Sequence, residues 1–253
     1  MVTFAEHVQQ KDAYVSELPL THVTTWTSFA DIVNSGCLNP SQCPRYKEPL
    51  VYFFYGKPAY RVKDANTVRH DTIYAPVCLI ITPGTVTAGV KRVFPFDSGA
   101  GKDLLYHPEI DPADVDTYDL KSVTQAAQRL VVGFFSTNEK YWSGMLDMNL
   151  TIPPAGTPAR KYYNLNNGGG DKDCDDRKSA VEYQVDQPID LNGRIAAVAL
   201  PHSFLENDDV KNVLSTWDAA PLAYELYKSF RPSEFHAHLR LLVRKHCEEK
   251  RWL

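Results

Sequence analysis

The chain lacks the glycine signatures of the commonest nucleotide cradles: neither GxGxxG nor GxxxxGK[ST] occurs in its 253 residues. GxSxG and HExxH are missing as well, so a hydrolase elbow and a zinc-protease helix have no sequence support. A nucleotide, if one binds, is held without a Rossmann or P-loop glycine run. Long apolar stretches are also absent. Runs such as Val77-Cys78-Leu79-Ile80-Ile81 are far too short to span a bilayer. The opening residues, MVTFAEHVQQKD, show no basic segment followed by an apolar one, so no secretory signal is expected. The expectation is a soluble, cytoplasmic protein with no membrane partner. There is no CxxC. The five cysteines (Cys37, Cys43, Cys78, Cys174, Cys247) are odd in number and scattered, which reads as reduced thiols rather than a disulfide framework. Cys37 and Cys43 flank a short loop, but the second pair that a structural zinc would need is missing, and no metal is expected. Positive charge is not in excess: 27 Lys and Arg stand against 31 Asp and Glu, a formal charge of −4. That excludes a globally basic nucleic-acid binder and leaves a local basic patch open. No internal repeat and no long Pro/Ser-rich linker divides the chain, so residues 1–253 read as a single domain.

What is present is an ordinary globular composition, 43 % hydrophobic and 23 % charged, with ample chain for a core. Seventeen prolines spread along it favour many short strands and loops over a helical bundle. Strands are expected at 18–25, 50–55, 75–82, 93–96, 180–185 and 194–201, with a further one at 118–120. A short helix, 29–35, is expected to be capped by Ser28 and ended by Gly36 in a left-handed conformation. Residues 123–135 place Val123, Ala126, Ala127 and Leu130 on one helical face. A helix over about 234–249 carries Phe235, Leu239, Leu242, Val243 and His246 on one stripe. Strands interspersed with short helices, without a regular βαβα period, indicate the α+β class.

Three positions carry possible chemistry. In Leu20-Thr21-His22-Val23-Thr24-Thr25, His22 and Thr24 share a strand face, an imidazole beside a hydroxyl; alone, this reads equally as a strand-end histidine bonded in a turn. In YFFYGKPAYR, an aromatic strand breaks at Gly56-Lys57-Pro58 and leads to Tyr60 and Arg61, a flat stacking surface beside a cation that suits a planar heterocycle. Tyr52 and Phe54 read as core there, and Tyr60 is less easily explained. Around residue 182, Val181, Tyr183 and Val185 alternate with Ala180, Glu182 and Gln184, so Glu182 is either a solvated strand-face carboxylate or one at a cleft edge. Counting from Asp171, Asp173, Asp175 and Glu182 fall at EF-hand positions 3, 5 and 12, but position 6 is Asp176 instead of the glycine that turn requires, and no helix precedes it. The polar stretch 164–176 therefore reads as a solvated, mobile flap.

Taken in chain order, H-x-T in a strand, the following FADIVNSGCLNP, the aromatic YFFYGKPAY and the late SAVEYQV resemble the ADP-ribosyltransferase superfamily. The pattern is closest to its His–Tyr–Glu branch, which includes diphtheria-toxin-like and poly(ADP-ribose) polymerase-like enzymes, and it is similar to the nucleic-acid-modifying members. The resemblance covers roughly residues 18–200. It implies split antiparallel sheets with short flanking helices and a C-terminal helix, and NAD as co-substrate. His22 would hold the adenine-side ribose, with Thr24 at the pocket wall. Tyr60, or Tyr52 or Tyr55, would stack on nicotinamide, with Arg61 alongside. Glu182 would be the catalytic carboxylate, stabilising positive charge that develops on the ribose. The acceptor would be nucleic acid or protein. Arginine-modifying members carry a second glutamate two residues before the catalytic one; here that position is Ala180, which argues against guanidinium as acceptor.

Other reactions on the same scaffold stay open: RNA 2′-phosphotransfer, NAD hydrolysis, or non-enzymatic binding of nucleotide or nucleic acid. The phosphotransfer reading expects basic residues in the cleft, and Arg45, Lys47, Lys57, Arg61 and Lys63 cluster around the aromatic motif. From Phe235 onward five basic residues stand against two glutamates, a smaller hint of nucleic-acid contact.

Overall fold

A computed structural model describes residues 2–61 and 65–253. In chain order its helices and strands are α1 (Phe4–Gln9), β1 (Leu20–Thr25), α2 (Trp26–Ser35), β2 (Cys37–Leu38), β3 (Ser41–Cys43), β4 (Glu48–Tyr55), β5 (Pro76–Ile81), β6 (Val90–Phe94) and α3 (Ser98–Lys102). They continue with α4 (Ala126–Phe134), α5 (Asn138–Ser143), α6 (Pro158–Asn166), β7 (Glu182–Val185), β8 (Ile189–Asp190), β9 (Ile195–Pro201), α7 (Asp208–Thr216), β10 (Ala220–Tyr224) and α8 (His236–Glu249). The class is α+β. The chain forms two compact units: the first takes residues through Leu18, Val90–Gln184 and Leu253, the second Pro19–Gly89 and Val185–Trp252.

The second unit is built on strands in the order β10-β9-β5-β1-β4, with β3 added to β4. β5 is buried on both faces, every residue from Val77 to Ile81 being inaccessible, because α2 packs against β1 and β5 on this sheet while α8 packs against β9. The pairings β1–β4, β1–β5, β5–β9 and β3–β4 are antiparallel. β10, for which no strand was expected, runs parallel to β9, a departure from the all-antiparallel sheets that the resemblance implies; a parallel pair needs a crossover, and α7 supplies it.

α2 begins one turn earlier than the Ser28 cap suggests. Thr25 occupies the N-cap position without a side-chain hydrogen bond, and the Trp26 N–H donates to the carbonyl of Ala75, so tertiary pairing starts the helix. Its end follows the sequence: Gly36 adopts φ +67° and its N–H closes on the carbonyl of Ile32. α8 covers His236–Glu249 and is preceded by a 3-10 turn over Pro232–Phe235, which together fill the expected span; its buried residues are His236, Leu239, Val243, His246 and Cys247. Leu242 is only half-buried.

The first unit packs α1 against α4 and α6. Phe4 sits among aromatic rings, 5.0 Å from Tyr118 and 5.3 Å from Tyr162, with Phe134 4.8 Å from Tyr162. The expected strand at 118–120 is instead the end of a 3-10 segment, Pro112–Tyr118, and only a single bond from the Leu120 N–H to the Val93 carbonyl remains strand-like. The polar stretch 164–176 also differs from expectation. Its first residues finish α6, the Gly170 N–H donates to Glu109 Oε2 (2.7 Å) and the Asp171 N–H to the carbonyl of Leu105 (3.0 Å), so it is fastened to the unit.

No helix among the described residues is long and apolar enough to cross a membrane. All five cysteines are free thiols. No group of three or more His, Cys, Asp or Glu among the described residues is placed to hold a metal ion.

Candidate functional site

In the second unit, β1, α2, the 37–44 segment and the middle of β4 line a cavity of about 710 Å³. His22, Thr24, Tyr52 and Tyr60, four of the five cofactor-binding residues expected from sequence, all line it. α2 contributes Ser28, Asp31, Ile32 and Ser35, residues spaced three and four apart on one helical face.

Each side chain is positioned by identifiable local bonds. His22 Nδ1 lies 2.9 Å from the carbonyl oxygen of Tyr52. A carbonyl only accepts, so Nδ1 carries the proton. Burial pushes the His22 pKa down, opposed by that same bond, which keeps the ring neutral near pH 7. Its Nε2 is then an acceptor suited to a sugar hydroxyl. Tyr52 donates its hydroxyl to Cys43 Sγ at 2.8 Å, pinning the ring against the cavity wall; it was read as a core residue and is a half-buried lining residue instead. Tyr55 is 1 % exposed and belongs to the core, whereas Tyr60 is 40 % exposed at the cavity. The turn between them is set by Gly56 at φ +69°, and by Thr21 Oγ1, which donates to the carbonyls of Phe54 and Lys57 at 3.0 Å each.

The expected basic cluster does not line this cavity. Lys57 is 1 % exposed, buried beside the turn. Arg61 donates Nη1 to the carbonyl of Ala59 (2.7 Å), and neither it nor Arg45 nor Lys47 is among the lining residues. Lys63 falls outside the described residues.

Glu182 belongs to the first unit, where it is 2 % exposed, so the solvated strand-face reading is wrong. Short β7 is covered on both faces, and alternation therefore does not mark a wet side. The carboxylate accepts from Ser98 Oγ (2.7 Å) and Gln184 Nε2 (2.7 Å) at Oε1, and from the Ser98 N–H (3.2 Å) at Oε2. Burial, and next the neighbouring carboxyl of Asp97, raise its pKa to about 8, while the Ser98 and Gln184 bonds pull the other way. Asp97 is the N-cap of α3, accepting from the Ala100 N–H at 2.9 Å. Its own pKa is raised by burial, against the bond from Ala100 and the attraction of Arg177, whose Nη1 lies 4.0 Å away. Asp97, Ser98 and Arg92 went unnoticed in the sequence. The Asp97-Ser98-Gly99 start of α3 was visible as an N-cap pattern, and Gln184 was visible on the Glu182 face; Arg92 had no local signal.

Comparison of the chain with family models, curated proteins and solved structures finds no match.

Proposed function

We propose that this chain is an NAD-dependent ADP-ribosyltransferase that acts on a nucleic-acid or protein acceptor. The observation that carries the reading is the convergence of His22, Thr24, Tyr52 and Tyr60 on one cavity of about 710 Å³, within the roughly 300–1,000 Å³ range of small-molecule sites. In this reading neutral His22 accepts a hydrogen bond from a ribose hydroxyl and Tyr60 stacks on the nicotinamide ring. The bond between ribose C1′ and the nicotinamide nitrogen breaks, and its electron pair leaves with neutral nicotinamide. An acceptor nucleophile forms the new bond to C1′ and gives up its proton to solvent. The role that the resemblance gives Glu182 is to stabilise, in its ionised form, the positive charge on the ribose as the bond breaks. The cavity lining holds no lysine or arginine among the described residues, which favours glycosyl transfer over the phosphotransfer reading that needs a basic cleft.

The test is incubation with NAD labelled in its adenylate half, together with separate DNA, RNA and protein pools, comparing the wild type with Glu182→Ala. Label on one pool, lost in the variant, is the expected outcome and identifies the acceptor. Nicotinamide release without transfer would make the protein a glycohydrolase. No turnover and no NAD binding would sink the enzyme reading in favour of a binding module.

A further inference from the structure

Glu182 and Gln184 lie two residues apart on β7 and share a face, and β6 is the neighbouring strand in the sheet. Arg92, on β6, donates Nη1 to Gln184 Oε1 at 2.9 Å, and Gln184 Nε2 donates onward to Glu182 Oε1 (2.7 Å) and to Ser98 Oγ (3.1 Å). A guanidinium has only donors, so it dictates which end of the amide it meets. With Oε1 committed to Arg92, the NH₂ must face the carboxylate. The flipped amide would set oxygen against oxygen at Glu182 and leave NH₂ against the cation. Gln184 is 0 % exposed, so water does not substitute for either bond.

We propose that Arg92 and Gln184 form a positioning relay for Glu182: the guanidinium fixes the direction of the amide, and the amide orients and holds the catalytic carboxylate. The inference rests on the reading of Glu182 as the transferase carboxylate. The groups facing Glu182 are Ser98 at the start of α3, Asp97 immediately before it, and Gln184 on its own strand. Behind Asp97 stand Arg177 and Asp175, bonded to each other at 2.8 Å. Asp97 favours the protonated form of Glu182 and the relay favours the ionised form. Removing the relay therefore raises the pH at which Glu182 ionises. A bond of this kind made only to the charged form shifts that midpoint by ~1 pH unit.

The experiment is an NMR titration of the full chain labelled with ¹³C at the glutamate side-chain carboxyls, with the Glu182 signal assigned by its loss in Glu182→Gln. Gln184→Leu and Arg92→Met are expected to move the Glu182 midpoint upward by ~1 unit, and Arg92→Lys to restore most of it. Arg92 is only half-buried, so its variants keep the test open if Gln184→Leu does not fold. In turnover, the acidic limb of the pH profile of kcat should move with the midpoint, because the ionised carboxylate is the working form, while KM for NAD stays constant. A midpoint unchanged in Arg92→Met and Gln184→Leu overturns the relay, even if the wild type turns NAD over. A midpoint that moves as expected in a protein that leaves NAD intact supports the relay and removes the transferase reading instead.

Discussion

Tyr60 and Tyr55 belong to one sequence motif and have opposite fates, which a pair of truncations separates. Loss of one stacking ring forfeits roughly 0.5–1.5 kcal/mol, so Tyr60→Ala should raise KM for NAD up to about tenfold and leave the unfolding midpoint unchanged. Tyr55→Ala should lower stability by roughly 3 kcal/mol, as core aromatic truncations do. If urea unfolding shows the two variants equally destabilised, Tyr60 is core and the stacking role is wrong. Glu182 gives a second residue-scale prediction. Its carboxyl ionises near 4.5 in an unfolded chain and near 8 in the folded one. The folded state thus binds the proton more tightly, and wild-type stability falls relative to Glu182→Gln as pH rises from about 4.5 through about 8. Urea unfolding should show the gap widening to a few kcal/mol above pH 8 and shrinking toward zero near pH 4; a gap that is flat with pH would mean Glu182 is not the titrating group. The same substitution should cut turnover by ~100-fold or more with little change in NAD affinity. The grouping of His22, Thr24, Tyr52 and Tyr60, which share one cavity, was legible as a sequence order. The burial of Glu182 was not, because alternation reports a wet face only when one face of a strand is wet, and the Ser98 and Arg92 partners come from chain segments some ninety residues away.

Among the elements, α2 gives the cavity one of its walls. Its C-terminal stop was readable from Gly36 alone, because φ +67° is a conformation that glycine adopts without a Cβ penalty. The space around a Cβ there is open, so Gly36→Ala tests backbone strain by itself. It should cost about 1 kcal/mol in chemical denaturation, with no change in NAD binding; a neutral result would mean the end of the helix relaxes freely. The start of α2 was not readable, because its first N–H is met by the carbonyl of Ala75, the residue just before β5 and distant in sequence. Other missed helices did carry local signals. Thr3 and Glu6 form a reciprocal capping box on α1, and Thr157 with Pro158 makes a cap and first-turn pair on α6. α1 and α6 escaped notice because their apolar faces are short and aromatic, with the period spread over few turns.

At the scale of the molecule, the second unit depends on pairings distant in sequence. β1 meets β5 in the register Leu20 to Ile81, and β5 meets β9 in the register Leu79 to Val198. Closing such loops before any contact rewards them slows folding. Refolding followed by tryptophan fluorescence should be multiphasic, with its slowest phase in the range of ~0.1 s to seconds. A single sub-millisecond phase would mean the sheet assembles locally, against the topology. The α+β class was legible from the spacing of prolines and short apolar runs. The division into two units was not, because each is assembled from separated stretches of chain and no linker composition marks the join.

The second unit is interrupted once along its length. The chain leaves it at Gly89 and returns at Val185, and the Asp186 N–H donates to the Gly89 carbonyl at 3.1 Å, so exit and return lie a single hydrogen bond apart. The stretch between them carries Asp97, Ser98, Arg177, Glu182 and Gln184, whereas His22, Thr24, Tyr52 and Tyr60 lie outside it. Seen as a gene, the carboxylate apparatus is a cassette set into the coding sequence of the cavity. An exchange at that point would replace Glu182 and its bonded partners while leaving His22, Thr24, Tyr52 and Tyr60 untouched.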